Sequence, residues 1–241
     1  MTEQQTQQRI DENWQFVKQQ VCETARASGR DPDSVRIIGV SKYVDETLTR
    51  ALTIAGCRDL GESRPQLMWQ KSQAMQDVIP LSWHMIGHLQ RNKVRRSLRC
   101  KPMIHSVDSK RVLAAINEEA VLQEVCIAVL LEVNISGDQA KTGFLPDELE
   151  AVIEAMLDSN IKSGIEIQGL MAMAGWGTDL TAARRQFEKT RELRDRLELA
   201  SGCPLTELSM GMSGDYQAAI LAGSTMVRIG SSLFEGVIER K

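Results

Sequence analysis

The 241-residue sequence lacks both the long apolar runs of a membrane protein and the paired cysteines of a disulfide-bonded or zinc-binding one. No apolar stretch approaches the roughly 18 residues that a membrane span requires, and the opening MTEQQTQQRIDEN lacks the apolar core of a secretory signal. The five cysteines are widely spread and form no C-x-x-C pair, which is typical of reduced thiols. We therefore expect a cytoplasmic protein that makes no membrane contact.

Strong charge of one sign is also lacking, because the net charge is only -3. The net charge of the chain therefore gives no reason to expect nucleic-acid binding. The segment RNKVRRSLRCK (91–101) holds six cations and no acid, but it contains no aromatic residue for base stacking. A solvated helix face is favoured over a nucleic-acid contact there, and we expect no nucleic-acid partner.

Helical periodicity is present in the first 30 residues. Apolar side chains recur there at steps of three and four, at Ile10, Trp14, Val17, Val21 and Ala25. The segment SGRDPDS (28–34) then breaks the pattern with glycine and proline. The sequence therefore predicts an N-terminal helix within residues 1–30.

Short β-type runs alternate with amphipathic stretches along the rest of the chain. The eight runs read VRIIGVSK, CRDLGES, SWHMIGHL, MIHSVDS, VCIAVLLEVNIS, IEIQGLMAM, LTELSMGMS and STMVRIGSSLF. Eight strands alternating with helices indicate a parallel sheet that closes into a single (β/α)8 TIM barrel, here with the N-terminal helix as an extra element. An open doubly wound sheet is the alternative. No linker divides the chain, so residues 1–241 are expected to form one domain.

A lysine ends the first predicted strand, in VRIIGVSKYV (35–44). Functional groups of such barrels lie at the carboxyl ends of strands. Lys42 is therefore either a surface lysine that extends into water or an amine that attacks a carbonyl.

Two small-residue loops follow strands seven and eight, where barrels often bind phosphate. The first, in LSMGMSGDYQAAILAGS (208–224), places Gly211, Ser213 and Gly214 before a helix, so it is either an anion-binding loop or an ordinary turn. The second lies in TMVRIGSS (225–232). Alternation there points Arg228 into the barrel, where it would face an anionic ligand or pair with an internal carboxylate.

A strand-end lysine, a phosphate loop pair and an inward arginine are the parts that pyridoxal 5′-phosphate requires. The sequence resembles the pyridoxal-phosphate homeostasis proteins (the YggS/PROSC family) over nearly its whole length. The segments that carry the resemblance are VSK, GES, WHMIGHLQRNK, VDS, VNISGDQAKTGF, GLMAM and LSMGMSGDYQAAILAGSTMVRIGSSLF. Three positions depart from the family pattern: Ser63 replaces an asparagine, KYVDE lacks a proline, and FEG (234–236) is one residue longer than FG.

The resemblance implies a barrel like the N-terminal domain of alanine racemase, with the cofactor held as a Schiff base. It implies the following cofactor-binding residues: Lys42 for the Schiff base, Ser213, Gly230 and Ser231 for the phosphate, Met212 beside them, and Arg228 facing the pyridine nitrogen. No catalytic residue and no metal ligand is assigned. Lys141 is the rival for the Schiff base, and His84 and His88 lack a third metal ligand.

Two functions remain open. In the first, the protein binds pyridoxal phosphate for intracellular vitamin B6 homeostasis, as an expected monomer that delivers the cofactor to dependent apo-enzymes. In the second, it is an amino-acid racemase, which needs two bases. The chain has only two tyrosines; we expect Tyr43 to point away from Lys42 and Tyr216 to lie beside the phosphate loops. An inward Arg228 also opposes protonation of the pyridine ring. The binding role is therefore favoured.

Overall fold

Eight parallel strands close into a barrel in the computed structural model, which describes residues 1–78, 80–138, 142–157 and 163–238. Each strand pairs with the next along the chain, and the last pairs with the first. The strands are β1 (Arg36–Val40), β2 (Asp59–Glu62), β3 (Ser82–Met85), β4 (Met103–Val107), β5 (Ile127–Glu132), β6 (Ile165–Met171), β7 (Glu207–Met212) and β8 (Met226–Ile229). The predicted TIM barrel is confirmed, and the open sheet is excluded.

Helices surround this barrel and bury their apolar stripes against its outer face. They are α1 (Glu3–Ala27), α2 (Glu46–Ile54), α3 (Pro65–Ala74), α4 (Arg91–Ser97), α5 (Lys110–Leu122), α6 (Leu149–Leu157), α7 (Leu180–Ser201) and α8 (Tyr216–Leu221). The basic segment 91–101 forms α4 and a short 3-10 turn at Leu98–Cys100, as expected for a helix with a solvated face. None of the described helices combines the length and the apolarity needed to cross a membrane.

The predicted N-terminal helix is confirmed as α1. Thr2 caps it: its hydroxyl accepts from the Gln5 amide at 3.2 Å, and the Thr2 amide donates to the Gln5 side chain at 2.8 Å. The five predicted apolar residues are buried. The helix packs against both α2 and α8. Because α8 precedes β8 and α2 follows β1, the position between them in the outer ring would be that of a helix after β8. Residues 230–238 form no such helix, and α1 occupies that position.

Side chains from opposite strands meet inside the barrel. β4 and β7 are not neighbours in the sheet, yet His105 and Ser209 are 2.8 Å apart. Such a contact has to cross the interior. Arg228 of β8 donates a hydrogen bond to the same Ser209 hydroxyl, so its side chain also lies inside the barrel. Its predicted inward orientation is confirmed.

Candidate functional site

Lys42 lies just beyond β1 at the carboxyl-end mouth of the barrel, where its side chain is half-buried. The Lys42 ammonium lies 4.9 Å from the centroid of the Tyr43 ring. The expectation that Tyr43 points away from Lys42 was therefore wrong. β1 ends at Val40 and residues 42–43 form a turn, so strand alternation no longer applies to them. Within the described part of the chain, the Lys42 amine forms no ion pair and no hydrogen bond, and it faces an exposed ring.

A buried polar cluster fixes the backbone immediately before Lys42. The Ser41 hydroxyl donates to Glu62 Oε1 at 2.7 Å, and Lys71 Nζ donates to the Ser41 carbonyl at 2.8 Å. Lys71 also forms an ion pair with Glu62, whose Oε2 has no hydrogen-bond partner among the residues that the structure describes. Such a pair strongly constrains its surroundings, because losing one partner leaves an uncompensated buried charge. Sequence reasoning missed Lys71, since nothing in α3 distinguishes it from a surface lysine.

β7 turns sharply near its end at Gly211, which has φ of +89°. A Cβ at this position would lie 2.6 Å from Cβ of Ala219, so only glycine fits. Asp215 Oδ1 accepts a hydrogen bond from the Met212 amide at 2.6 Å, and the Met212 side chain is exposed. The Met212 amide is therefore engaged within the loop, and only its side chain is available at the mouth.

Ser213 joins the two predicted phosphate loops. Its hydroxyl accepts a hydrogen bond from the Gly230 amide at 3.2 Å. Gly230 in turn lies against β1, because a Cβ built on it would be 3.3 Å from both Cβ and O of Val40. Ser231 follows as an exposed residue. The loops after β7 and β8 and the strand that ends near Lys42 therefore meet at one mouth of the barrel.

Arg228 is buried and bonds only to uncharged oxygens. Nη1 donates to the carbonyl and the hydroxyl of Ser209 at 2.7 and 2.6 Å, and Nη2 donates to the Ala172 carbonyl at 3.1 Å. Burial lowers the pKa of Arg228 to about 10, so the guanidinium stays charged at neutral pH. It forms no ion pair with a carboxylate of the described residues, which excludes the internal-pair alternative there. Of its five N–H donors, Nε–H and one on Nη2 remain for a ligand.

Glu132 ends β5 on the inner face of the barrel. Burial raises the pKa of this carboxyl, and the nearby Asp108 raises it further, whereas a hydrogen bond from the Thr142 hydroxyl at 3.0 Å opposes the shift. His88 lies beyond β3, with Nδ1 2.7 Å from Asp108 Oδ2. Across the described ranges, no three potential ligands gather into a metal site. Lys141 lies outside the described residues.

Comparison with known proteins covers almost all of the chain. A family model described as alanine racemase, N-terminal domain, matches residues 7–236. A pyridoxal phosphate homeostasis protein of Aquifex aeolicus is 36% identical over 216 residues, which cover 90% of this chain and 92% of the relative. One of Pseudomonas aeruginosa is 37% identical over 225 residues, covering 93% of this chain and 94% of the relative. The chain belongs to the pyridoxal phosphate homeostasis protein family.

Solved structures agree with membership of the pyridoxal phosphate homeostasis family. PipY of Synechococcus elongatus, determined with PLP bound, has a TM-score of 0.79 and 31% identity, covering 89% of this chain and 99% of PipY. Alanine racemase of Corynebacterium glutamicum has a TM-score of 0.70 and 14% identity, covering 97% of this chain and 63% of the racemase. The second likeness shows a shared barrel fold and no more. The family resemblance predicted from the sequence motifs is confirmed.

Proposed function

We propose that this protein binds pyridoxal 5′-phosphate as a Schiff base on Lys42 and serves intracellular vitamin B6 homeostasis without turning over an amino acid. The observation that carries the proposal is the convergence of three features near one mouth of the barrel: a half-buried lysine without an ion pair among the described residues, two joined small-residue loops and a buried arginine. Relatives at 36–37% identity bear the name pyridoxal phosphate homeostasis protein, and PipY was solved with PLP bound.

The residues at this mouth fit the cofactor's two polar ends. The hydroxyls of Ser213 and Ser231 would supply neutral donors for a phosphate, and the Gly230 amide would join them by exchanging its bond to Ser213 for one to the phosphate. A side chain at Gly230 would crowd Val40. Arg228 would direct its two remaining N–H donors at the ring. When bound, pyridoxal phosphate supplies an aldehyde for the Lys42 amine and an electron-accepting ring. Met212 would contribute its exposed side chain beside the phosphate.

Arg228 also bears on the choice between a binding protein and an enzyme. Its charge opposes protonation of the pyridine nitrogen and so weakens the ring as an electron sink. The three oxygens to which Arg228 donates are uncharged, and Asp215 and Glu132 act on it only through their charge, without a hydrogen bond among the described residues. This arrangement suits holding the cofactor better than most amino-acid chemistry.

The racemase alternative needs a second base on the face of the substrate opposite Lys42. Tyr43 lies beside the Lys42 ammonium, on the same side. Tyr216 is buried in α8, and burial raises the pKa of its hydroxyl, which makes it a weaker source of a phenolate. Neither tyrosine is placed as the opposing base, so delivery of cofactor to dependent apo-enzymes remains the favoured role.

Borohydride trapping tests the proposal. Protein mixed with pyridoxal phosphate is reduced, digested and mapped, and the label is expected on Lys42. Lys42→Ala should abolish the yellow imine band, whereas Lys18→Ala, which removes an exposed lysine of α1, should retain it. A label on Lys141 in the unaltered protein would overturn the assignment. Sedimentation of the loaded protein checks the expected monomer.

A further inference from the structure

A hydrogen-bond chain crosses the barrel interior from the opposite mouth to Arg228. The contacts are Asp59 Oδ1 to His84 Nε2 at 3.0 Å, His84 Nδ1 to His105 Nε2 at 2.9 Å, His105 Nδ1 to Ser209 Oγ at 2.8 Å, and Ser209 Oγ to Arg228 Nη1 at 2.6 Å. We call these five residues the relay. Of its first four members, only His84 was considered from the sequence, as a metal ligand that lacks a third partner.

The relay is shielded from water except at one end. His105 and Ser209 are fully buried, and His84 is 2% exposed. Asp59 is 24% exposed and lines, with His84, a cavity of about 780 Å³ formed where several strands begin. A row of polar groups in a barrel core is costly unless every member is satisfied. Here each of the four ring nitrogens of His84 and His105 has one hydrogen-bond partner, so the row is fully paired.

The two ends of the relay favour one direction for its hydrogen bonds. The Asp59 carboxylate only accepts, so His84 Nε2 carries a proton and donates to it. With His84 neutral, its Nδ1 accepts from His105 Nε2–H, and His105 Nδ1 accepts from the Ser209 hydroxyl, whose oxygen accepts from Arg228. In this arrangement both histidines are neutral Nε2–H tautomers, and the relay runs from a cation to an anion.

The opposite direction is disfavoured by the groups around His105. A proton on His105 Nδ1 would leave Nε2 as an acceptor, so His84 would have to donate from both ring nitrogens, to His105 and to Asp59, and would add a positive charge to the core. Burial lowers the pKa of His105 well below its usual value, and His84, Arg228 and Arg36 lower it further, so the doubly protonated ring is also disfavoured. The arrangement with two neutral rings satisfies the row without an additional buried charge.

We propose that Asp59, His84, His105 and Ser209 are positioning residues that hold Arg228 in its orientation toward the ring of bound pyridoxal phosphate. The inference rests on the proposed function for the cofactor, whereas the relay itself does not. The carbonyl and the hydroxyl of Ser209 both accept hydrogen bonds from Nη1, and these two bonds fix one edge of the guanidinium. Its Nε–H and one Nη2 proton are left for the ligand.

Nitrogen-15 NMR of the unliganded protein tests the relay directly. The chain has only three histidines, and the exposed His88 serves as an internal reference. We expect His84 and His105 to be neutral Nε2–H tautomers at pH 7. An Nδ1–H tautomer or a cationic ring at either position would overturn the relay. This measurement needs no cofactor, so its outcome is independent of the proposed function.

Substitution of His105 tests the positioning role. His105→Phe removes both ring nitrogens, and loosening of a charge-assisted contact is expected to weaken pyridoxal phosphate binding about tenfold. Binding of inorganic phosphate should stay unchanged, because the hydrogen bonds of His105 go to His84 and Ser209 and not to the described residues of the phosphate loops. His105→Gln, which offers an acceptor and a donor at similar places, should restore most of the affinity. The absorption band of the bound cofactor should shift in His105→Phe and return in His105→Gln.

Two further variants keep the test decisive. Asn117→Ala removes a buried hydrogen bond to the Gly164 amide on the outer layer and controls for a general loss of stability. If His105→Phe does not fold, Asp59→Asn at the partly exposed end should still lower the affinity for pyridoxal phosphate while sparing phosphate. An equal loss of both ligands, or the same band shift in Asn117→Ala, would show a merely structural role. Failure of the unaltered protein to bind pyridoxal phosphate would refute the proposed function and leave the tautomer result standing.

Discussion

Replacement of Lys71 by methionine should destabilise the protein strongly, because it leaves Glu62 as a buried carboxylate without its cation. Glu62 is fully buried, and one of its oxygens has no hydrogen-bond partner in the described ranges, so little there could take over from Lys71. Loss of one member of a buried pair typically costs about 3–5 kcal/mol. For a chain of this size, that corresponds to a fall in Tm of roughly 6–20 °C.

Thermal and urea unfolding of a small set of variants provides the assay. In Glu62→Gln/Lys71→Met the amide still accepts from Ser41 but carries no charge, so we expect the double variant to recover most of the lost stability. Arg50→Met, which breaks the exposed pair with Asp77, is the matched control and should barely move the midpoint.

Lys71→Met should also weaken the cofactor site. Without Lys71 the Ser41 carbonyl loses its donor, so the turn that carries Lys42 becomes less fixed and borohydride trapping should slow. A loss below about 1 kcal/mol in Lys71→Met, or a double variant as unstable as the single one, would refute the reasoning that the pair is strongly coupled.

Three further predictions concern the phosphate loops, pH and turnover. Ser213→Ala should weaken binding of pyridoxal phosphate by about 1.5–3 kcal/mol in calorimetry, and pyridoxal without phosphate should bind much more weakly; equal affinity for both vitamers would place the phosphate elsewhere. His105 has a lowered folded pKa, so its contribution to stability is complete above pH 6.5 and is lost at about 1.4 kcal/mol per pH unit below it. His105→Gln should flatten that slope in urea titrations between pH 6.5 and 5, and an unchanged slope would contradict it. Loaded protein incubated with L- and D-amino acids in deuterium oxide should show no catalytic turnover at the Cα, while transferring cofactor to an apo-enzyme; repeated turnover that is lost in Lys42→Ala would favour a racemase.

The sequence by itself determined the barrel, the place of Lys42 and the inward face of Arg228. These are local properties: strand runs alternate with helical periods, and a period of two assigns each strand residue to one face. The adjacency of the two loops predicted to bind phosphate also followed from the chain order, because the turns after strands seven and eight are neighbours once the sheet closes. This reasoning failed for Tyr43, because strand alternation ends with β1 at Val40 and does not predict the direction of side chains in the turn that follows.

Only the tertiary structure decided which distant polar residues meet. His105 and Ser209 are 104 positions apart and lie on strands that are not neighbours, so no spacing along the chain could pair them. Lys71 looked like a surface residue of α3 until the helix packed over the end of β2 and buried its amine against Glu62. The N-terminal helix looked like an addition until its packing placed it in the outer ring beside α2 and α8. In each case the deciding force is burial between separate elements, which a one-dimensional pattern does not encode.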